Sequence, residues 1–467
     1  APVCMLLIAI VGYLVITVAI GFLAKRWVAN AEDFIMAGRN LPVYLNAAAI
    51  FALWFGSETI LGASSEFLEH GLLGIIEDPF GAVLGLVLVG VFYARKLYRL
   101  NVYTIIDLFR MRFGILTERI SGLMMIFSFF GYCAAQLVAL GLLLSTITSL
   151  DFHYSILLCA VLVVFYTFWG GMWAVSITDF LQSIMIVVGL VALAWAWGRQ
   201  TPGLDAVLRS VSPDHFRFFP EGGGLNWVHW ISAWMVIGLG SIASQDVFQR
   251  VNSARSEKAA YYSTLLGAGL YLLLALLPLY LILNANYLFP EAMLGDLQTV
   301  LPTIVLQKGS IGIQILFFGS LISAIMSTAS GSLLAPASIL SENILKPLVA
   351  NRLTTKGFLW MTRFCVLAVG LISAFFAVAN KDIYALVGVS SIFGLVSLFV
   401  PLNVALFTSW SNGPGALASM ILGAGIWVIF EFLYPLPVDA LWPGLLASIA
   451  GYGLGTLYHR INPSPGV

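Results

Sequence analysis

Ala324, Ser327 and Thr328 stand at i, i+3 and i+4 in "LISAIMSTASGSLLAPASIL", Leu321 to Leu340, a stretch with several hydroxyls and no charged residue. On a helix, the carbonyl of the first and the hydroxyls of the other two fall on one face within a single turn. Uncharged oxygens gathered in this way suit a hard monovalent cation such as sodium. The same small residues also suit close helix packing, with each hydroxyl bonding back to its own backbone. Residue types alone leave both readings open.

In "IFALWFGSETILGAS", Ile50 to Ser64, Phe55, Gly56 and Ser57 fall in mid-span and Glu58 follows. Such a run is a candidate helix break. Unwound backbone at membrane depth is tolerated only where it lines a cavity or binds something, and Ala52 and Phe55 can then offer carbonyls to the same ion. The alternative is an unbroken helix with a glycine packing notch and Glu58 turned toward a neighbour. In "FWGGMWAVSITDFLQSIMIVVG", Phe168 to Gly189, Asp179 lies deep in a span. A carboxylate there is costly unless paired. It can bond a serine of the ion site, touch the ion, or serve a structural bond to another helix. In "SQDVFQRVNSARSEKAA", Ser244 to Ala260, a span ends in Arg250, Arg255 and Lys258. These read as cations at the cytoplasmic face, favourable beside a helix carboxyl end.

The elements that must position these residues are membrane helices. Of 467 residues, 60% are hydrophobic and 9% charged, and the mean hydropathy is +0.97. Apolar stretches of about twenty residues recur along the chain, which predicts an all-α integral membrane protein with about thirteen transmembrane helices. Expected spans include 43–68, 72–93, 153–170, 173–198 and 227–250. Within the expected span 300–345, the stretch 302–345 is too long for one straight crossing and should tilt or extend into the cytoplasm. Val3 to Ala24 lacks a basic flank and a cleavage site, so it reads as a span rather than a signal peptide. Cys4, Cys133, Cys159 and Cys365 all sit in apolar segments and read as free thiols packed like small hydrophobes.

The basic residues fall after alternate spans: Lys25, Arg26 and Arg39; then Arg95 to Arg119; then Arg250, Arg255 and Lys258; then Lys346, Arg352 and Lys356; then Arg460. The positive-inside rule places all of these in the cytoplasm, with the amino terminus outside and the carboxyl terminus inside. A formal net charge of zero gives no basic surface for nucleic acid. The sequence contains no GxxxxGK[ST] loop, no HExxH and no CxxC, and its five histidines are scattered, so an enzyme is not expected.

Together the stretches resemble the sodium:solute symporter family. "AEDFIMAGRNLP" is similar to its first cytoplasmic loop, "GGMWAVSITDFLQ" to its signature helix, "QDVFQRVNSARSEKAA" to its later cytoplasmic segment and "AIMSTASGSLLAPASILSENI" to its sodium-binding helix. The resemblance implies a LeuT-like fold of two inverted five-helix repeats, helices 2 to 6 over 41–198 and helices 7 to 11 over 227–409. Peripheral helices fill 1–24 and 412–467. It implies Na+ as the coupling ion, held by the carbonyls of Ala52, Phe55 and Ala324 and the hydroxyls of Ser327 and Thr328, with Asp179 supporting the serines. Alternating access around a midplane site would couple sodium entry to solute import across the cell membrane. The expected partners are thus a small-molecule solute, sodium and the lipid bilayer, with no obligate protein partner evident.

For the solute, the segment around Trp54 resembles the choline transporters of that family, whereas its proline transporters carry an aspartate there. Tyr132, in "FFGYCAAQLVALG", stands where the choline transporters use another aromatic residue. Both rings can face a quaternary ammonium through cation-π contact. Ser244 stands where those transporters have a further tryptophan, which leaves the cage incomplete. Ser57, Glu58, and Glu77 with Asp78 would add polarity or negative charge, although Glu77 and Asp78 also fit the solvated end of a helix. No arginine is expected in the core spans to receive an acidic solute. A cationic or zwitterionic amine such as choline is therefore the expected solute, with a proline-like amino acid, a vitamin, a carboxylate or a sugar as alternatives. A solute sensor on a transporter fold is the alternative from another class.

Overall fold

The computed structural model describes residues 2–349 and 353–461, so Arg352 lies outside the described residues. Among the described residues the regular structure is helical, apart from one isolated bridge between Leu41 and Ala254. The main segments are α1 (Pro2–Ala24), α2 (Val43–Trp54), α3 (Glu58–Arg99), α4 (Ile115–Thr148) and α5 (Phe152–Gly198). They continue as α6 (Gly224–Gly240), α7 (Gln245–Ser253), α8 (Glu257–Leu288) and α9 (Ile311–Leu345). The chain ends in α10 (Thr355–Ala379), α11 (Ile383–Phe407), α12 (Gly413–Leu433) and α13 (Leu441–Ile461). Among the described residues nine helices are long and apolar enough to cross a membrane, or ten if α6 and α7, bent by 50°, count as one broken span.

Departures from straight helices decide how the bundle is built. A straight helix of α5's length would run about 70 Å, more than twice a bilayer core. Gly171 divides it with φ 51° and ψ −144°, a conformation open to glycine. A Cβ there would lie 2.6 Å from the Phe34 carbonyl oxygen, so close approach also demands glycine. The division falls between the expected spans 153–170 and 173–198.

The stretch 300–345 does not form a single tilted helix. It splits into Val300–Lys308 and α9, with Gly309 and Ser310 in extended conformations between them. The correction has a simple cause: Gly309 interrupts a run whose hydropathy alone looks continuous. Cys4 departs from expectation too, being exposed on α1, whereas the other three cysteines are buried.

The core is centred on α9, which packs against α1, α2, α4, α5, α7 and α10. Every residue from Phe317 to Ile339 is buried, as expected of a helix apolar all round and enclosed by others. At one end of the bundle the basic loops meet. The amide of Arg255 donates to Leu41 O at 2.9 Å, Arg39 Nη2 donates to Tyr98 O at 2.8 Å, and Arg99 Nη2 reaches Glu257 Oε1 at 2.8 Å. Arg112 also bonds the Thr408 carbonyl there.

Candidate functional site

α2 ends at Phe55, whose φ of −89° and ψ of 72° leave the helix. Helix resumes beyond Gly56. A Cβ on Gly56 would lie 2.8 Å from Thr328 Oγ1 and 2.7 Å from Glu58 Oε2, so only glycine lets this break press against α9. Thr328 Oγ1 lies 3.1 Å from Ala52 O and 3.2 Å from Ala324 O. One hydroxyl thus joins a carbonyl beside the break to a carbonyl of its own helix. Phe55 contributes its backbone at this break, while its ring packs on Phe51 and Tyr271.

The other hydroxyls of α9 behave differently. Ser320, Ser330 and Ser332 bond carbonyls three residues back, and Ser338 bonds one four back. Ser327 instead donates to Asp179 Oδ1 at 2.5 Å. While Ser323 meets the Tyr13 hydroxyl of α1 and Ser338 accepts from Gln249 of α7, Ser327 and Thr328 thus reach α5 and α2. The donor set they form is made of oxygens, chiefly neutral, which suits sodium.

Arg250 corrects the reading of it as a cytoplasmic-face cation, and with it the statement that the core spans lack arginine. The residue is fully buried, as is Asp179, and its Nη2 lies 3.6 Å from Asp179 Oδ2. Its three guanidinium nitrogens and Asp179 Oδ2 have no hydrogen-bond partner among the described residues. Gly331 makes the room, since a Cβ there would lie 2.8 Å from Nη2. Hydropathy could not foresee this, because the side chain turns back into the bundle from the short helix α7. Arg363 of α10 is buried as well, donating to Trp169 O at 3.2 Å.

A separate cavity holds about 620 Å³ of space, counting its mouth, and Trp54, Glu58, Asp78, Tyr132 and Ser244 all line it. Ser57 is not on its wall, but its hydroxyl points to Glu58 Oε2 at 3.4 Å. Asp78 is buried rather than solvated, which removes the helix-end alternative for it. It accepts from Thr59 Oγ1 at 2.9 Å and also bonds Tyr271. Tyr132 donates to Leu53 O at 3.1 Å, just before the break. Trp54 and Glu58, four residues apart on either side of the break, both line this cavity.

Sequence reasoning missed Gln136, Tyr271 and Asp246. Gln136 Nε2 donates to Glu58 Oε2 at 2.8 Å, and its Oε1 accepts from the Ser57 amide at 3.0 Å. The signal was present: a lone amide one helical turn beyond Tyr132 in an apolar span. Asp246 lines the cavity and bonds Ser244 and the Val247 amide. Its charge was visible in "SQDVFQR", but the bend that turns it inward was not. Tyr271 lies in an apolar run of α8 that gave no signal. Among the described residues no Lys, Arg or His lines the cavity.

A model of the sodium:solute symporter family matches residues 34–423. The chain belongs to that family. The chain is 28% identical to the high-affinity choline transporter 1 of Caenorhabditis elegans over 448 residues, covering 89% of this chain and 76% of the relative. It is 26% identical to the human high affinity choline transporter 1, covering 89% and 75%. To the high-affinity proline transporter PutP of Bacillus subtilis it is 29% identical, covering 92% and 93%. A solved structure of a Na+-coupled sialic acid symporter in a substrate-bound outward-open state superposes with a TM-score of 0.86, covering 98% of both chains at 19% identity. Mhp1, a nucleobase-cation-symport-1 family transporter, superposes at 0.57, covering 92% and 95% at 16% identity. The fold is LeuT-like, and the family is one of membrane transporters rather than enzymes.

Proposed function

We propose that the protein is a sodium-coupled importer of a small organic cation, an amine of the choline kind. The observation that carries this reading is the cavity: Trp54 and Tyr132 present rings, Glu58, Asp78 and Asp246 present carboxyl groups, and no basic side chain faces them. A buried ring beside a carboxylate suits a positive headgroup, combining cation-π attraction with a longer-range Coulomb term. The likeness to choline transporters over most of the chain supports the same class. Proline transport is the second reading, favoured by the coverage of PutP, but the carboxylate of an amino acid would meet no cation on this wall.

Sodium is proposed to bind at Ala52, Phe55, Ala324, Ser327 and Thr328, with Asp179 holding Ser327. The cluster and the cavity meet at the same break, through Thr328 on one side and Trp54 on the other. An ion drawing Ala52, Ala324 and Thr328 together would fix the backbone that presents Trp54, which is a direct route to coupling. Segments 41–198 and 227–409 are proposed as the inverted repeats, rocking against one another with the basic loops in the cytoplasm. The test is uptake into proteoliposomes with sodium or potassium outside, with choline, betaine, proline, galactose and pantothenate as competitors. Sodium-dependent uptake that choline inhibits is the expected result. Uptake indifferent to sodium, or inhibited by a neutral or anionic solute and not by amines, would overturn the proposal.

A further inference from the structure

The three carboxyl groups of the cavity are not equivalent. Asp78 is held at both oxygens, by Tyr271 at Oδ1 and by Thr59 at Oδ2. Glu58 is held at one oxygen: Oε2 accepts from Gln136 at 2.8 Å and from Ser57 at 3.4 Å. Asp246 is likewise held at one, its Oδ1 taking both the Ser244 hydroxyl and the Val247 amide. Glu58 Oε1 and Asp246 Oδ2 have no hydrogen bond from the described residues, although both side chains are 4% exposed and line the cavity. A carboxylate clamped at one oxygen presents the other in a fixed direction, which is how a buried acid selects a donor.

The two free oxygens come from different places in the chain. Glu58 opens α3 immediately after the first helix break, and Asp246 lies in the first turn of α7 immediately after the second. Each broken span therefore delivers one half-satisfied carboxylate to the same cavity. Trp54, one residue before the first break, and Tyr132, which donates to Leu53 O there, bring rings to the same wall as Glu58. Asp246 is bonded by the Ser244 hydroxyl, and Ser241 also lines the wall.

We propose that the solute is a short amine carrying a second hydrogen-bond-donating group, an amino alcohol or a diamine. Its ammonium is held by Trp54, Tyr132 and Glu58, and its hydroxyl or second amine by Asp246. The inference rests on the cationic reading of the cavity and narrows it. A solute whose far end is a carboxylate, such as betaine or proline, would set that anion against Asp246. Like charges brought together in a desolvated site are strongly unfavourable, and a site built to bond a donor rejects an analogue that lacks one.

The test is ligand-dependent thermal stabilisation of the purified full-length protein in sodium, which reads binding even in variants that do not transport. The probes are choline, ethanolamine, 1,3-diaminopropane, tetramethylammonium, betaine and proline, on wild type, Asp246→Asn and Glu58→Gln. Choline and betaine differ chiefly in a hydroxymethyl against a carboxylate, so their ratio isolates the far end. Wild type should prefer choline to betaine by at least about tenfold. Asp246→Asn should reduce that ratio to within about threefold and weaken tetramethylammonium less than choline, because that ion loses only the longer-range Coulomb term and no hydrogen bond. Glu58→Gln should weaken choline and tetramethylammonium alike. Betaine binding wild type as tightly as choline, or a ratio that Asp246→Asn leaves intact, overturns this inference while the cationic reading stands. If neither choline nor tetramethylammonium binds, the cationic reading fails and the inference with it.

Discussion

The candidate ion cluster and the candidate solute cavity share a helix break but handle charge in different ways. In the cluster one buried carboxylate, Asp179, faces one buried guanidinium, Arg250, and the remaining oxygens of Ala52, Ala324, Ser327 and Thr328 are neutral. In the cavity Glu58, Asp78 and Asp246 line a wall with no basic side chain. The cluster sets a guanidinium against its carboxylate, whereas the cavity wall carries three carboxyl groups and, among the described residues, no Lys, Arg or His. Damage should therefore appear as instability in the first region and as lost selectivity in the second.

The largest expected effect tests that pairing. Arg250→Ala would leave Asp179 buried without its counter-charge, and breaking one side of a buried pair costs about 3–5 kcal/mol. The variant should unfold at markedly lower temperature in detergent, and adding Asp179→Asn to it should recover much of the loss. An Arg250→Ala protein as stable as wild type would show that the loosely formed pair carries no such weight. A smaller effect is expected from Thr328→Ala, which removes the hydroxyl joining Ala52 O to Ala324 O. The sodium concentration for half-maximal uptake should rise about tenfold, equivalent to about 1.4 kcal/mol. Solute affinity at saturating sodium should change much less. Equal loss of both would merge the two regions into one site.

Trp54 sharpens the other side of the comparison. Trp54→Leu should weaken choline by roughly tenfold through loss of the cation-π face, and Trp54→Phe should weaken it less. Competition uptake with choline measures both. A neutral competitor would lose contact area in each variant without following ring electron density, so a Phe variant no better than Leu would argue against a cationic headgroup at this ring.

The cluster was more legible in the sequence than the cavity, and the reason lies in how each is assembled. Ala324, Ser327 and Thr328 occupy one turn of one helix, so their spacing already places them together. Phe55 and Gly56 advertised a break through residue type alone. The cavity draws from α2, α3, α4, α6, α7, α8 and α11, and no local pattern says which polar residue of one span will meet which of another. Gln136 and Asp246 were visible as polar residues in apolar company, but their partners Glu58 and Ser244 became clear only with the helices in place. Arg250 was misjudged for the same reason. The charge pattern finds the end of a span well, but it cannot tell which basic side chain at that end folds back inward. Gly331 on α9, which makes room for the guanidinium, lies far away in the sequence.

Tyr132 gives the smallest expected effect and the finest division between the regions. Its ring lines the cavity, while its hydroxyl donates to the carbonyl of Leu53 beside the break that also carries Ala52 and Trp54. Tyr132→Phe keeps the ring and removes the donor, leaving a carbonyl next to the ion cluster without that partner. A hydrogen bond of this kind contributes about 0.5–1.5 kcal/mol net, so a change of a few-fold is expected. If the ring serves the solute and the hydroxyl serves the break, choline affinity measured in saturating sodium should hardly move. The sodium concentration for half-maximal binding should shift instead, because a less firmly held Leu53 carbonyl leaves Ala52 O free to wander from Thr328. Titrating sodium at several fixed choline concentrations separates the two. A shift confined to choline would place the Tyr132 hydroxyl in the solute site and contradict the division of labour along this side chain.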